Sequence, residues 1–154
     1  MYDSARELIE ALRVTPDVLT TLLRNVTQEQ AQAARGGDEG WSVVEVVCHL
    51  RDTEEVALQR TRTLRDAADP LISGFDQEAL ARERNYASDD LRTALTSFFN
   101  VRATHLAELE ALRPEQWERT GRHAVHGPVT ILNHTLHIIW HDAVHVAQIA
   151  RQLS

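Results

Sequence analysis

Four histidines lie close together near the carboxyl end of the chain, which has eight in all. They are His134, His137, His141 and His145. At about 100° per residue of an α-helix, all four side chains fall on one face. His141 and His145 are four residues apart, a spacing that places two imidazoles on neighbouring turns where they can hold one metal ion. The pattern therefore predicts a metal site on the last helix.

Two histidines do not complete a catalytic site for a zinc-like ion, which needs about three protein ligands and an open coordination position. Cys48 is the single cysteine, so the chain can form neither an intrachain disulfide nor a cysteine-based zinc knuckle. The missing ligand must then be a histidine or a carboxylate. His49 is the leading candidate, because it lies at the edge of the apolar face of an earlier predicted helix.

The composition is typical of one globular domain spanning residues 1–154. All 16 basic residues are arginines, scattered along a chain of net charge -7, which argues against nucleic-acid binding. The absence of lysine excludes Schiff-base chemistry and a P-loop. No apolar run approaches the roughly 18 residues of a membrane span, and the first residues lack the pattern of a signal peptide. We therefore expect no membrane partner and a cytoplasmic location.

The hydrophobic periodicity predicts an all-α fold, since no segment alternates over enough residues to form a sheet. The first helix covers about residues 4–25 and is kinked or broken where Thr15, interpreted as a second N-cap, precedes a proline. The third helix covers about residues 88–112, and the fourth about residues 130–153. Together with the second helix, these amphipathic segments predict a four-helix bundle.

The second helix has the best-defined start in the chain. Ser42 and Glu45 have the spacing of a capping box, so the helix is predicted from Val43 to about Ala67. A polar connection of roughly 20 residues then separates the second helix from the third, which is long for a tight turn between helices. A connection that crosses the length of the bundle explains this length without disorder.

The position of His49 along the second helix decides between two topologies. If successive helices simply alternate in direction, the second and fourth are parallel, and His49 differs from His141 and His145 by roughly 10 Å in height. If the long connection is a crossover, the two helices are antiparallel and His49 is level with His145. The crossover topology therefore supplies a third histidine ligand, and we predict that topology.

Two segments of the chain together resemble the DinB-like, or YfiT-like, family of metalloenzymes. They are Trp41–Asp52 (WSVVEVVCHLRD) and His141–Ile149 (HDAVHVAQI). The similarity covers nearly the whole chain, and the Trp-Ser opening combined with the spaced histidines is more specific than either half. The resemblance implies an up-down-down-up bundle, a homodimer, and a divalent metal ion held by His49, His141 and His145.

The resemblance also suggests a reaction. Some relatives are thiol S-transferases that use bacillithiol, mycothiol or glutathione. We therefore expect an ion such as zinc or nickel to activate a low-molecular-weight thiol against a small electrophilic substrate. A metal-dependent hydrolase, with water in place of the thiol, is one alternative. A noncatalytic metal-binding or stress-response interaction bundle is another.

Two further metal chemistries fit less well. His141 and His145 flank Asp142 with the spacing of a zincin protease motif, but this carboxylate is shorter than the general-base glutamate and no downstream ligand follows. A carboxylate-bridged di-iron centre would need paired Glu-x-x-His motifs on facing helices, which the second and fourth helices lack. Asp142 is interpreted as a residue that orients a ligand imidazole or is solvated.

Other polar residues have both a functional and a structural interpretation. Arg102 falls in the apolar stripe of the third helix, where it either holds an anionic part of a substrate or forms an internal ion pair. His137 and His134 are interpreted as pocket-wall or packing residues, with His137 a candidate substrate contact, and Phe75 and Tyr86 as candidates for the pocket mouth. The residues left without a functional role are Cys48, as a small core residue, and three surface or loop histidines, His105, His123 and His126.

Overall fold

The computed structural model describes residues 4–154, and four long α-helices make up most of that chain. In chain order, the helices are α1 (Ser4–Leu23), α2 (Gln28–Ala33), α3 (Val43–Asp66), α4 (Gln77–Glu83), α5 (Leu91–Glu110) and α6 (Ile131–Leu153). Five short strands lie in the connections: β1 (Arg35–Gly36), β2 (Trp41–Ser42), β3 (Leu71–Ile72), β4 (Thr120–His123) and β5 (Gly127–Thr130). No helix within residues 4–154 has the length and apolar character needed to cross a membrane.

The long helices α1, α3, α5 and α6 form a four-helix bundle in which their directions are up, down, down and up. Near the middle of α3, Glu54 bonds to His105 of α5. Further along both helices Arg62 bonds to Glu108, so α3 and α5 are parallel. The start of α3 lies beside the end of α6, so that pair is antiparallel. The fold class and the topology predicted from the sequence are therefore confirmed.

The connection between α3 and α5 crosses the length of the bundle. It leaves the end of α3 and returns to the start of that helix, where Asp89 lies 3.4 Å from the Cys48 thiol. Asp52 of α3 is buried and anchors this connection by accepting hydrogen bonds from Arg84, at 2.7 Å, and from the Tyr86 hydroxyl. Because a buried carboxylate needs such partners, the contacts fix the path of the crossover.

Reciprocal side-chain caps fix where α3 and α6 begin. The Ser42 hydroxyl accepts a hydrogen bond from the Glu45 backbone N–H, and the Glu45 carboxylate accepts one from the Ser42 N–H. Thr130 and Asn133 form the same pair before α6. Each box satisfies backbone donors that the first helical turn leaves unpaired. The predicted starts of both helices are confirmed.

The first helix differs from its prediction, because α1 continues through Pro16 and Thr15 is not an N-cap. The Thr15 hydroxyl instead donates to Asp142 of α6 at 2.7 Å. Pro16 has no N–H to bond the carbonyl of Leu12 four residues earlier. That carbonyl accepts a hydrogen bond from Arg102 Nη1 of α5 at 2.8 Å. A contact from another helix thus replaces the bond that proline removes.

A small sheet joins the long connection to the segment before α6. β4 and β5 form a hairpin, and β3 pairs in parallel with β4. These strands are too short to show an alternating pattern, which is why the sequence did not indicate them. Gly121 permits the close approach, since a Cβ at this position would lie 2.9 Å from the Pro70 carbonyl oxygen. The sheet fixes the turn between β4 and β5 beside α6.

Two apolar cores are separated by a layer of buried polar residues. One core surrounds the first turns of α3, and the other packs the far ends of α3 and α5 against the start of α6. Between them lie Glu54, Arg102 and Asp142, which are 1%, 1% and 4% exposed. Such groups are stable inside a bundle only when they pair with each other.

Candidate metal centre

Three imidazoles from two helices converge on one point. Nε2 of His49, on α3, lies 2.9 Å from Nε2 of His141, on α6. One ring nitrogen from each of His49, His141 and His145 lies within 4.8 Å of the others. His49 is buried, and the other two rings are partly buried. The structure thus brings together the three residues that the sequence predicted as metal ligands.

The positions of the helices account for this meeting. His49 is in the second turn of α3, whose start is fixed by the Ser42 cap. α6 runs in the opposite direction, so the turn that carries His141 and His145 lies level with His49. Trp41, directly before the cap, is buried against the His49 ring at a centroid distance of 5.1 Å. The same capping motif that starts α3 therefore also packs one side of the histidine cluster.

Gln148 orients His145, a contact that was not predicted from the sequence. Nδ1 of His145 lies 2.9 Å from Oε1 of Gln148. An amide oxygen only accepts hydrogen bonds, so Nδ1 carries the proton and Nε2 keeps the lone pair that a metal ion requires. The amide nitrogen of Gln148 donates to the Gly36 carbonyl at 3.4 Å, which fixes the orientation of the amide. The three-residue spacing on one helix was the available signal.

Burial keeps two of the three imidazoles neutral. Burial and the neighbouring His145 ring lower the pKa of His49 to about 3. Burial, together with the His145 and His49 rings, lowers the pKa of His141 to about 2. Near neutral pH both rings therefore offer lone pairs. Three imidazole nitrogens suit zinc, nickel, copper or iron better than magnesium or calcium. The donor set fits a divalent transition-metal ion.

A cavity of about 290 Å³, called here the inner cavity, opens beside the histidine cluster. His49 and His141 line it, so two of the three converging side chains face the space where a small molecule can enter. Phe75, His134 and His137 form other parts of its wall, as their positions in the sequence predicted. The cavity has walls from α3, α6, the long connection and the turn between β4 and β5.

Tyr86 does not line the inner cavity, although its position in the long connection suggested the pocket mouth. It is 1% exposed, and its hydroxyl donates to Asp52. Its ring also meets Trp41 edge-on at a centroid distance of 6.4 Å. Tyr86 therefore packs the crossover against α3, on the core side of the site.

Arg102 and Asp142 lie behind the histidine cluster in the polar layer. Arg102 Nη1 is 2.9 Å from Asp142 Oδ2, and Arg102 Nη2 is 2.9 Å from Glu54 Oε2. Arg102 forms the internal ion pair that was one of its two interpretations, and it does not line the inner cavity. Asp142 is not solvated, because Arg102 and the Thr15 hydroxyl hold its carboxylate. These contacts fix the turn of α6 that carries His141.

His105 corrects a prediction, since it is fully buried rather than on the surface or in a loop. Its Nδ1 lies 2.7 Å from Glu54 Oε1, and its Nε2 lies 2.8 Å from the Thr61 hydroxyl. A histidine on the apolar side of a helix can be buried when both ring nitrogens have partners. The sequence could not reveal this pairing, because Glu54 and Thr61 are distant in the chain.

The fold and the site define a class: helical bundles in which a crossover brings three histidines from two antiparallel helices together beside a cavity. Within that class, the chain belongs to the DinB superfamily, whose family profile matches residues 11–149.

Several similar proteins are named as proposed metal-dependent hydrolases. One from Geobacillus thermodenitrificans is 26% identical over 152 residues, which cover 96% of this chain and 83% of that protein. One from Geobacillus kaustophilus is 28% identical, with 94% and 82% covered. YfiT from Bacillus subtilis is 25% identical, with 92% and 79% covered.

A solved structure of YfiT superimposes on this chain with a TM-score of 0.89 at 23% identity. The superposition covers 99% of this chain and 87% of YfiT, which is described as having an unusual four-helix bundle topology. The fold is therefore shared over essentially the whole length.

Proposed function

We propose that this protein is a divalent-metal-dependent enzyme that acts on a small molecule bound in the inner cavity. His49, His141 and His145 are the proposed ligands. The observation that carries the proposal is the convergence of three imidazole nitrogens within 4.8 Å of one another beside that cavity. A purely structural site would be closed by a fourth protein ligand, whereas a catalytic one leaves a position open. The names of the similar proteins support metal dependence.

Each residue of the site has a distinct role in this proposal. A bound divalent ion supplies Lewis-acid activation of a nucleophile, either a thiol or water. The neutral rings of His49 and His141 hold the ion without first losing protons. Gln148 keeps His145 in the required tautomer, and Trp41 keeps water from one side of the cluster. The cavity wall then orients the electrophile.

The reaction we propose first is thiol transfer. The sulfur of a small thiol bonds to an electrophilic carbon as the bond from that carbon to its leaving group breaks, and the thiol proton passes to the released group or to water. The resemblance to the DinB-like family, some members of which are thiol S-transferases, supports this choice. Hydrolysis is the second candidate, favoured by the names of the similar proteins. Both reactions would use the same ion and the same cavity, and they differ in the nucleophile and in the electrophile that it attacks.

A metal-loaded enzyme assay tests the proposal. The protein is loaded with zinc or nickel and incubated with bacillithiol, mycothiol or glutathione and a panel of alkyl halides and epoxides. We expect a thioether product whose rate falls to the metal-free background in His141→Ala. Ester or amide turnover without thiol would assign the hydrolase instead. If the metal-loaded protein turns over neither the alkyl halides and epoxides nor the esters and amides, the proposal that it is an enzyme is contradicted and a noncatalytic bundle is favoured.

We also propose that the protein is a homodimer. Leu136, Trp140 and Val144 are 57%, 58% and 40% exposed and lie four residues apart along α6. Such spacing makes one apolar stripe on the helix surface, which a second copy of the same helix can cover in a symmetric interface. Light scattering should give twice the chain mass for the native protein and one chain mass for Leu136→Glu. Leu71→Glu, at a 65% exposed site in β3, is the control and should stay dimeric. A monomeric native protein would contradict the proposal.

A further inference from the structure

The residues that line the inner cavity differ in charge from the protein as a whole. The chain has 23 acidic and 16 basic residues. Among the described residues, however, none that lines the inner cavity is a carboxylate. An adjoining space of about 270 Å³, called here the outer cavity, also lacks one. The residues that line both cavities are Arg60, His123, His126, His134 and His137.

Arg60 is a half-buried cation without a carboxylate partner among the residues that the structure describes. Its Nη2 donates to the Ser73 carbonyl at 2.7 Å, and its guanidinium lies 5.8 Å from the centre of the Phe75 ring. These contacts hold the side chain in place and leave other N–H groups of the guanidinium unused. Burial lowers the pKa of Arg60, because partial desolvation is unfavourable for a charge without a counter-ion.

His123 supplies a second donor whose tautomer is fixed. Its Nδ1 accepts hydrogen bonds from the backbone N–H groups of Val125 and His126, at 3.1 and 3.2 Å. Nδ1 therefore carries no proton, and the proton of the ring must lie on Nε2. The hairpin of β4 and β5 fixes this turn, so the position of the Nε2–H donor is set by the backbone. Burial and the positive charge of Arg60 lower the pKa of His123, as expected for two groups that interact.

Two buried polar atoms at the wall of the inner cavity lack a partner. Nε2 of His134 and the hydroxyl of Thr53 have no hydrogen bond within the described chain, although both atoms are buried. His134 is 7% exposed, and burial lowers its pKa to about 4, so the ring is neutral. It also bonds to the backbone of Ala57. Buried polar atoms are rarely left unpaired, so these two indicate a site for polar ligand atoms.

We propose that Arg60 and His123 form an anion subsite that binds a carboxylate or phosphate group of the substrate. The inference rests on the proposed function, because it identifies the chemistry of the molecule that enters the same cavity. Arg60 lies three turns beyond His49 on α3, a rise of about 16 Å, so the anionic group binds away from the three histidines. Between the anion subsite and the three histidines, polar atoms of the substrate contact Nε2 of His134 and the hydroxyl of Thr53.

Direct binding of simple anions tests the subsite without an activity assay. Metal-free protein is titrated with inorganic phosphate and with succinate, while side-chain resonances of Arg60 and His123 are followed by NMR. We expect saturable shifts of these resonances with at least one probe, and the tighter probe shows whether phosphate or carboxylate is preferred. Arg60→Gln should weaken binding about 10- to 100-fold, the effect of losing a hydrogen bond to a charged group.

Two further variants separate a local effect from misfolding. Arg60→Lys keeps a positive charge and should retain much of the binding, although it loses the planar fork of donors. Arg122→Gln removes an exposed arginine of β4 that pairs with Asp69 and lines neither cavity, and this variant should bind the probes like the native protein. Thermal unfolding of each variant checks that it is folded.

The outcomes distinguish this inference from the proposed function. Anion binding at Arg60 in a protein that shows no turnover would contradict the proposed enzymatic function but would support the anion subsite. Native protein that binds neither probe would overturn the subsite. Binding to the metal-free protein that is unchanged in Arg60→Gln would also overturn the subsite. Binding that appears only after metal is added, and is lost in His141→Ala, would overturn it as well, because the anion would then lie on the ion.

Discussion

Replacing His141 by alanine is expected to weaken the binding of zinc or nickel by more than about 100-fold. His141 shares the convergence point with His49 and His145, and its deletion leaves two nitrogens of the three. Changes to residues that only orient a ligand typically cost about 10- to 100-fold in affinity, and removal of a ligand should exceed that range. Competition with a chelator of known affinity measures the effect at fixed pH, which matters because protons compete for imidazoles.

Two neighbouring substitutions make this prediction specific. His137→Ala removes a histidine one turn earlier on α6 that lines the cavity but lies outside the cluster, so metal affinity should stay near the native value. Gln148→Ala removes the acceptor of His145 Nδ1 and should fall in the range of about 10- to 100-fold. Equal losses in His141→Ala and His137→Ala would show that the ion is held elsewhere on the histidine-rich face.

Replacing Arg102 by methionine is expected to lower the free energy of unfolding by about 3–5 kcal/mol, the usual effect of removing one partner of a buried ion pair. Arg102 contacts Glu54, Asp142 and the Leu12 carbonyl, and it is 1% exposed. Its loss removes the cationic partner of two buried carboxylates, which keep only His105 and the Thr15 hydroxyl, and leaves the Leu12 carbonyl without a donor. Denaturant unfolding monitored by circular dichroism measures the change.

Arg62→Met is the matched control, because Arg62 also joins α3 to α5 through a carboxylate, that of Glu108, but lies in a partly exposed pair. Exposed and partly exposed pairs contribute less than about 1 kcal/mol. An equally small loss in the free energy of unfolding of both variants would show that the polar layer does not depend on Arg102. This dependence would gain support if Glu54→Gln and Asp142→Asn, added to Arg102→Met, restored part of the stability.

The effect of Arg102→Met should also depend on pH. Burial alone would raise the pKa of Glu54, but Arg102 and His105 outweigh it and lower that pKa from 4.5 to about 2. The stability from this carboxylate is therefore present above pH 4.5 and is lost as the pH falls toward about 2. Without Arg102 the carboxylate protonates more readily, so the native protein and the variant should differ less at pH 3 than at pH 7.

Local and helical patterns made the position of the histidine cluster predictable. The caps at Ser42 and Thr130 fixed the starts of two helices, and the constant rise per residue then placed His49 level with His145. The length of the connection between α3 and α5 indicated the crossover that this match requires. The helix starts, the rise along each helix and the length of the connection all depend on residues close together in the chain. They can therefore be predicted from the sequence alone.

The remaining features depend on contacts between distant residues. His105 is buried because Glu54 and Thr61 meet its two ring nitrogens, and α1 continues through Pro16 because Arg102 takes the carbonyl that proline leaves unpaired. No local pattern records either pairing. The donor role of His123 likewise follows from two backbone N–H groups in a turn between short strands. Tertiary contacts thus decide the charge and hydrogen bonding around the site.

The most direct test of the metal centre is the coordination of a bound ion in the native protein. Purified protein is loaded with zinc or nickel, its metal content is measured, and the ligands are identified by X-ray absorption and by anomalous diffraction from crystals. We predict one ion per chain, bound to nitrogen atoms of His49, His141 and His145 and leaving a position open toward the inner cavity. Failure to take up a stoichiometric ion, or an ion bound at other residues, would contradict the account.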